Sequence, residues 1–125
     1  MYQELKEVWA ELTTKGAPFE ITEVEVRGAT IKAYANAPAN LREVWLSSQQ
    51  FEERDYLVYQ DERWTYAEAH AEVASVANWL KAQGVESGDC VAIAMRNYPE
   101  WLLAYWAIVS IGAVVSGMNA WWVGP

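Results

Sequence analysis

From Trp101 to Pro125 the chain carries no charged side chain. A run of that kind belongs inside a protein core or inside a bilayer. Gly112 and Gly117 punctuate it, and Ser110, Ser116 and Asn119 add polar groups. Its helical part, 98–111, is about 14 residues, short of the roughly 20 that a bilayer requires. Only Arg96 flanks the run, which leaves little positive-inside asymmetry. The expectation is a buried element with no stable membrane insertion. Just upstream, Cys90 through Met95 is a compact apolar stretch of the length of a buried parallel strand. Asn97 is placed to cap the following helix, and Pro99 is tolerated in its first turn. Gly112 stops that helix, and Ala113-Val114-Val115 begins a second strand. Residues 90–117 therefore read as a right-handed βαβ unit.

Before this unit, Thr65 followed by Glu68 is a capping box. It opens a helix over 66–83, in which Ala69, Val73, Val76, Ala77 and Leu80 recur at steps of three and four. Its alanines give it a small-sided surface that can lie close to a neighbour. Tyr56 to Tyr59 reads as a short strand, Gln60 to Arg63 as a turn, and Trp64-Thr65-Tyr66 as the return. Asn40, with Glu43 three residues on, caps a helix over 41–51 lined by Leu41, Val44 and Trp45. Residues 19–35 read as a β-hairpin, with Gly28 at the turn and Glu20, Glu23 and Glu25 on the solvent side. Residues 2–15 form an amphipathic helix with Leu5, Val8, Trp9 and Leu12 on one face. No basic segment leads into an apolar run there, so no secretory signal is expected. The pattern predicts an α/β fold: a partial three-layer sheet with helices on both faces. No linker or repeat interrupts it, and 1–125 is expected to be a single domain.

Seventeen acidic against nine basic residues give a net charge of -8. That balance argues against binding nucleic acid, which needs clustered Lys and Arg, and against anionic lipid. A single Cys cannot form an internal disulfide and points to a reducing, cytoplasmic setting. No C-x-x-C or His pair is present to bind zinc, and no G-x-x-x-x-G-K-[ST] loop to cradle phosphates.

Three residues stand out singly. His70, the lone imidazole, could be a general base, but no nucleophile is placed near it by the sequence, and a partly exposed helical role is favoured. Cys90 could be a reactive thiolate, but opening an apolar strand it reads as a small buried hydrophobe. Asp89 reads as part of the Gly88 turn. Eight Trp and seven Tyr are many for this length. Trp101, Tyr105 and Trp106 read as core or interface residues. Trp121 and Trp122 have little of this chain left to cover them, which marks a partner surface.

Several stretches, taken in order, carry a resemblance. They are Trp64-Thr65-Tyr66-Ala67-Glu68, Val73-Ala74 through Ala77-Asn78-Trp79-Leu80, and Gly84-Val85 with Gly88-Asp89-Cys90-Val91-Ala92-Ile93. Asn97-Tyr98-Pro99-Glu100-Trp101, Tyr105-Trp106-Ala107, Ile111-Gly112-Ala113-Val114-Val115 and Met118-Asn119-Ala120-Trp121 follow. Their order and spacing resemble the N-terminal part of the adenylate-forming ligases: acyl-CoA synthetases, luciferases and peptide-synthetase adenylation domains. The stretch from Pro18-Phe19-Glu20-Ile21 through Leu46 is similar to bacterial fatty-acid–CoA ligases. Gly117-Met118 stands where that family usually has Pro-Leu.

The resemblance implies an enzyme that joins a carboxylic acid to ATP, giving an acyl-adenylate, and then passes the acyl group to coenzyme A. The family's phosphate loop, its magnesium-holding Glu, its ribose-binding Asp and its C-terminal Lys all lie downstream of the matching region. No catalytic, cofactor-binding or metal residue is therefore assigned in 1–125. ATP, magnesium and coenzyme A are implied for the full-length family, and none is expected to bind this chain. The chain is expected to be the opening fifth or quarter of a ligase, inactive alone, with the rest of the polypeptide or a second copy of itself (a homodimer) as partner. A stand-alone interaction or oligomerisation module is the competing expectation, since a partial sheet leaves unpaired strand edges.

Overall fold

The computed structural model describes residues 2–122, so the Gly124-Pro125 terminus lies outside the described residues. The chain divides into two compact units, Met1–Ala39 and Asn40–Pro125. The boundary follows Asn36-Ala37-Pro38, a segment that reads in the sequence only as the end of a strand.

In the first unit, α1 (Tyr2–Thr13) precedes an antiparallel hairpin of β1 (Ile21–Val26) and β2 (Ala29–Tyr34). Ile21 lies opposite Tyr34, Glu23 opposite Lys32 and Val24 opposite Ile31. Alternation then puts Val24, Val26 and Ile31 on one face and Glu23, Glu25 and Lys32 on the other. The two-residue turn has positive φ at both Arg27 (51°) and Gly28 (80°), the backbone that matches strand twist in tight hairpins. Phe19 meets Tyr34 edge to face at 6.2 Å, and its amide donates to the Leu12 carbonyl at 3.1 Å. The apolar stripe of α1 is present, but Leu5, Val8 and Trp9 remain exposed.

In the second unit, the Asn40 side chain accepts from the Glu43 amide at 3.0 Å and starts α2 (Leu41–Ser47), which tightens into a 3₁₀ turn over Ser48–Phe51. A hairpin of β3 (Asp55–Tyr59) and β4 (Glu62–Thr65) leads into α3 (Tyr66–Ala82). The capping box is formed: the Glu68 amide donates to Thr65 Oγ1 at 3.1 Å, and the Thr65 amide donates to Glu68 Oε2 at 2.9 Å. β5 (Cys90–Ile93), α4 (Pro99–Ser110) and β6 (Val114–Gly117) make the βαβ unit, with β5 and β6 parallel. Its core joins Ala69, Val73 and Leu80 of α3 to Leu103, Ala107 and Ile108 of α4, with Trp45 and Ile93.

Two expectations need refinement. The residue at the N-cap of α4 is Tyr98, not Asn97, and it makes no side-chain cap hydrogen bond. Pro99 supplies the first helical residue, and a residue before proline is driven to extended backbone, which Tyr98 adopts (φ -97°, ψ 163°). The fold is α/β, as read, but its strands form three two-stranded sheets, β1-β2, β3-β4 and β5-β6. Two of the pairs are closed by local turns and the third by the α4 crossover, and no strand among the described residues bridges them. The β5–β6 sheet also has one open face. Register and alternation put Cys90, Ala92, Val114 and Ser116 on it, and all four are exposed. Val91, Ile93 and Val115 line the opposite face, which packs on the core.

Gly112 fixes the loop at the start of β6. Its φ is +80°, and its carbonyl accepts from the Gly88 amide at 2.9 Å and from Ser87 Oγ at 3.3 Å. A Cβ on Gly112 would stand 2.6 Å from Ser87 Oγ, whereas one on Gly88 (φ +93°) would meet nothing within 4 Å. Both replacements strain the backbone, and only the first also displaces a neighbour. Gly88→Ala should cost about 1–2 kcal/mol and Gly112→Ala roughly 1 kcal/mol more. Urea unfolding of the two variants checks this; equal losses would mean that the Ser87 contact carries no weight.

Candidate functional site

Four elements of the second unit converge on Trp45. The indole is 3% exposed and lies between the His70 ring of α3 (centroids 3.9 Å apart, 23° between planes) and the Trp106 ring of α4 (5.1 Å, 15°). Tyr56 of β3 packs against it at 5.4 Å, and Trp106 Nε1 donates to the Tyr56 hydroxyl at 2.6 Å. Burial pushes the Tyr56 phenol up, and the Trp106 hydrogen bond works against that shift. Tyr56 therefore stays neutral in this cluster at ordinary pH.

The structure brings Ser48 to His70, a pairing the sequence did not suggest: Ser48 Oγ and His70 Nε2 are 3.0 Å apart. A Ser–His contact raises the prospect of an activated nucleophile. The hydrogen-bond inventory opposes it. Ser48 Oγ donates its single proton to the Trp45 carbonyl at 2.6 Å, which leaves the oxygen to accept from a protonated Nε2. A general base needs the reverse polarity, with the imidazole accepting the hydroxyl proton. The pair fixes α3 against the 3₁₀ turn instead.

Burial also holds His70 below its ordinary value of 6.5. The neutral ring is thus favoured in the folded state, and the unfolded chain binds the proton more readily. Stability from this source is complete above the unfolded pKa and is lost as pH falls through the folded one. The denaturation midpoint should therefore decline as pH drops below the mid-sixes, before most carboxylates titrate. His70→Gln should flatten that part of the profile; an unchanged slope would remove His70 as its cause.

Asp89 serves the turn: its Oδ2 accepts from the Glu86 amide at 2.9 Å, and its carbonyl accepts from the Val114 amide at 2.7 Å. Cys90 is a correction. It is exposed rather than buried, because it lies on the open face of β5–β6 opposite Val114. Trp121 and Trp122 are about as exposed as the sequence led one to expect, at 72% and 69%. The Arg96 guanidinium sits 4.2 Å over the Trp121 ring. Trp101 and Tyr105 are partly buried and stacked at 5.7 Å.

The carboxyl ends of parallel strands are where α/β folds place their ligand crevices. Here that end carries two grooves that share Asn97 and Trp101. One, about 330 Å³, is walled by Leu57, Tyr59, Tyr98, Pro99 and Leu102. The other, about 440 Å³, lies among Met95, Met118, Trp121 and Trp122. The first is mostly apolar and aromatic, the second mixed, with Asn97 and Asn119 in its wall, and Glu62 and Glu100 line a hollow beside them with Tyr59, Met95, Tyr98 and Pro99. Among the described residues no group of three or more His, Cys, Asp or Glu is placed to hold a metal. The first groove offers apolar surface to whatever covers it. If the Tyr98 ring supports the first groove through its edge contact with Tyr59 (5.7 Å), Tyr98→Ala should cost about 1 kcal/mol in urea unfolding. A loss as large as that from a core truncation would contradict its peripheral place.

Known proteins share this arrangement. The sequence model of the AMP-binding enzymes matches residues 44–123. The medium/long-chain-fatty-acid–CoA ligase FadD6 of Mycobacterium tuberculosis is 36% identical over 101 residues, 78% of this chain and 17% of its own length. An acetyl-coenzyme A synthetase of Aeromonas salmonicida is 49% identical over 57 residues, 46% of this chain and 9% of its own length. Among solved structures, the N-terminal subdomain of Klebsiella oxytoca NpsA in complex with anthranilyl-AMSN superposes with a TM-score of 0.63 at 28% identity. That match covers 65% of this chain and 21% of the other. The anthranilate CoA ligase AuaEII in complex with anthranoyl-AMP gives 0.65 at 26% identity, over 70% and 17%. The chain thus spans less than a quarter of each of these proteins and matches the N-terminal region of adenylate-forming ligases. With the family's sequence model aligned over most of its second unit, the chain belongs to the AMP-binding enzymes.

Proposed function

We propose that residues 1–125 form the N-terminal part of an ATP-dependent carboxylic acid–CoA ligase that acts on medium or long fatty acids in the cytoplasm. One observation carries the acid class. The match to a fatty-acid–CoA ligase extends over 78% of the chain, whereas the match to an acetyl-coenzyme A synthetase, though higher in identity, extends over 46%. In this reading the acid attacks ATP to give an acyl-adenylate and pyrophosphate, and the thiol of coenzyme A then displaces AMP. Magnesium, ATP and coenzyme A are held by parts of the protein other than this chain.

The contribution of residues 1–125 is structural. The open face of β5–β6 and the apolar grooves beside α4 are surfaces for the remaining polypeptide to cover. No described helix is long and apolar enough to cross a membrane, so the apolar surface needs a protein partner in this reading. In the isolated chain the same surfaces and open strand edges promote self-association into a homodimer or larger species.

Two measurements test this. The protein that contains residues 1–125 should form acyl-hydroxamate from ATP, magnesium, hydroxylamine and a medium or long fatty acid, and form less from acetate. The 125-residue chain should form none. Preference for acetate would overturn the acid class, and turnover by the short chain would overturn its structural role. Light scattering of the short chain should give a mass above the 14.2 kDa of one copy; a monomer at high concentration would remove the self-association.

A further inference from the structure

A third groove, about 220 Å³, runs between α2, α3 and the C-terminal end of α4. Its walls carry the cations Arg42 and Lys81, the amides of Gln49 and Asn78, the His70 ring and Ser110. No carboxylate lines it, in a chain whose acidic residues outnumber its basic ones by 17 to 9. The segregation is visible along α3. Glu68 and Glu72 fall in a different groove, beside Arg63, while His70, Asn78 and Lys81 face this one. Ser110 Oγ is buried without a hydrogen-bond partner, a donor that nothing in the described chain satisfies. Two of the carbonyls near the end of α4 are already engaged. Ile108 O accepts from the Ile111 and Ala113 amides, and Val109 O accepts from the Gly112 amide.

We infer that this groove binds a phosphoryl group, either free phosphate or one carried by a small organic molecule. The guanidinium of Arg42 offers a planar fork of donors, Lys81 a compact charge, and the two amides further N–H groups. Two cations and this many donors suit a dianion with three terminal oxygens better than a single carboxylate. Nothing in the groove depends on the ligase chemistry.

His70 is the chain's only histidine, so its ring resonances report on the groove without assignment ambiguity. The experiment titrates the 125-residue chain with inorganic phosphate, glycerol 3-phosphate and acetate, each against sodium chloride at matched ionic strength. Expected are saturable His70 shifts with both phosphates, about tenfold weaker in R42A/K81A. Both substituted residues are exposed, and unchanged far-UV circular dichroism confirms that the variant is folded. Tighter binding of glycerol 3-phosphate identifies an organic phosphate, and equal binding identifies the bare anion. Shifts no larger than with chloride, equal shifts with acetate, or undiminished binding in the folded variant would each overturn the inference.

Discussion

The stack of Trp45 between His70 and Trp106 is the contact on which the second unit depends. It ties α2, α3 and α4 at one point, and the Trp106–Tyr56 hydrogen bond adds β3. Aromatic pairs of this kind contribute about 0.5–1.5 kcal/mol beyond the area they bury. Two such pairs make about 1–3 kcal/mol, roughly a fifth of the 5–15 kcal/mol that separates a folded domain from its unfolded chain. Beside it, the α3–α4 seam joins Ala69, Val73 and Leu80 to Leu103, Ala107 and Ile108, and a parallel pair of four-residue strands completes the unit. The described part of the uncharged run past Trp101 is accommodated by this scaffold through one side of α4 and one face of β5–β6, and its other described residues are left partly or wholly exposed.

That incomplete coverage connects the fold to its function. Where an independent domain would hide Val114 and Trp121, this chain exposes them at 54% and 72%. The groove beside Tyr98 is walled mainly by apolar and aromatic residues. In the proposed role the chain supplies walls and sheet edges to a larger enzyme; it spans less than a quarter of each of the relatives compared above.

Much of the local structure was legible in the sequence because short-range physics writes it there. The Thr65–Glu68 and Asn40–Glu43 caps, the Gly28 turn and the βαβ order all follow from residues within a few positions of one another. Two expectations differ from the structure for different reasons. Asn97 reads as the cap because Asn favours that role, but Pro99 hands the position to Tyr98. Cys90 reads as buried because its strand is apolar, whereas its exposure depends on which sheet face the described chain leaves uncovered. The Ser48–His70 and Trp106–Tyr56 contacts join residues 22 and 50 positions apart, and no pattern of spacing announces such pairs. The division after Ala39 has no composition shift to mark it.

The central claim is that these residues are the opening portion of an adenylate-forming ligase, and the most direct measurement is the reading frame of the native gene beyond codon 125. The account predicts that it continues into a Ser/Thr/Gly-rich phosphate loop ending in Pro-Lys-Gly. A stop codon, or a continuation without that loop, would contradict it.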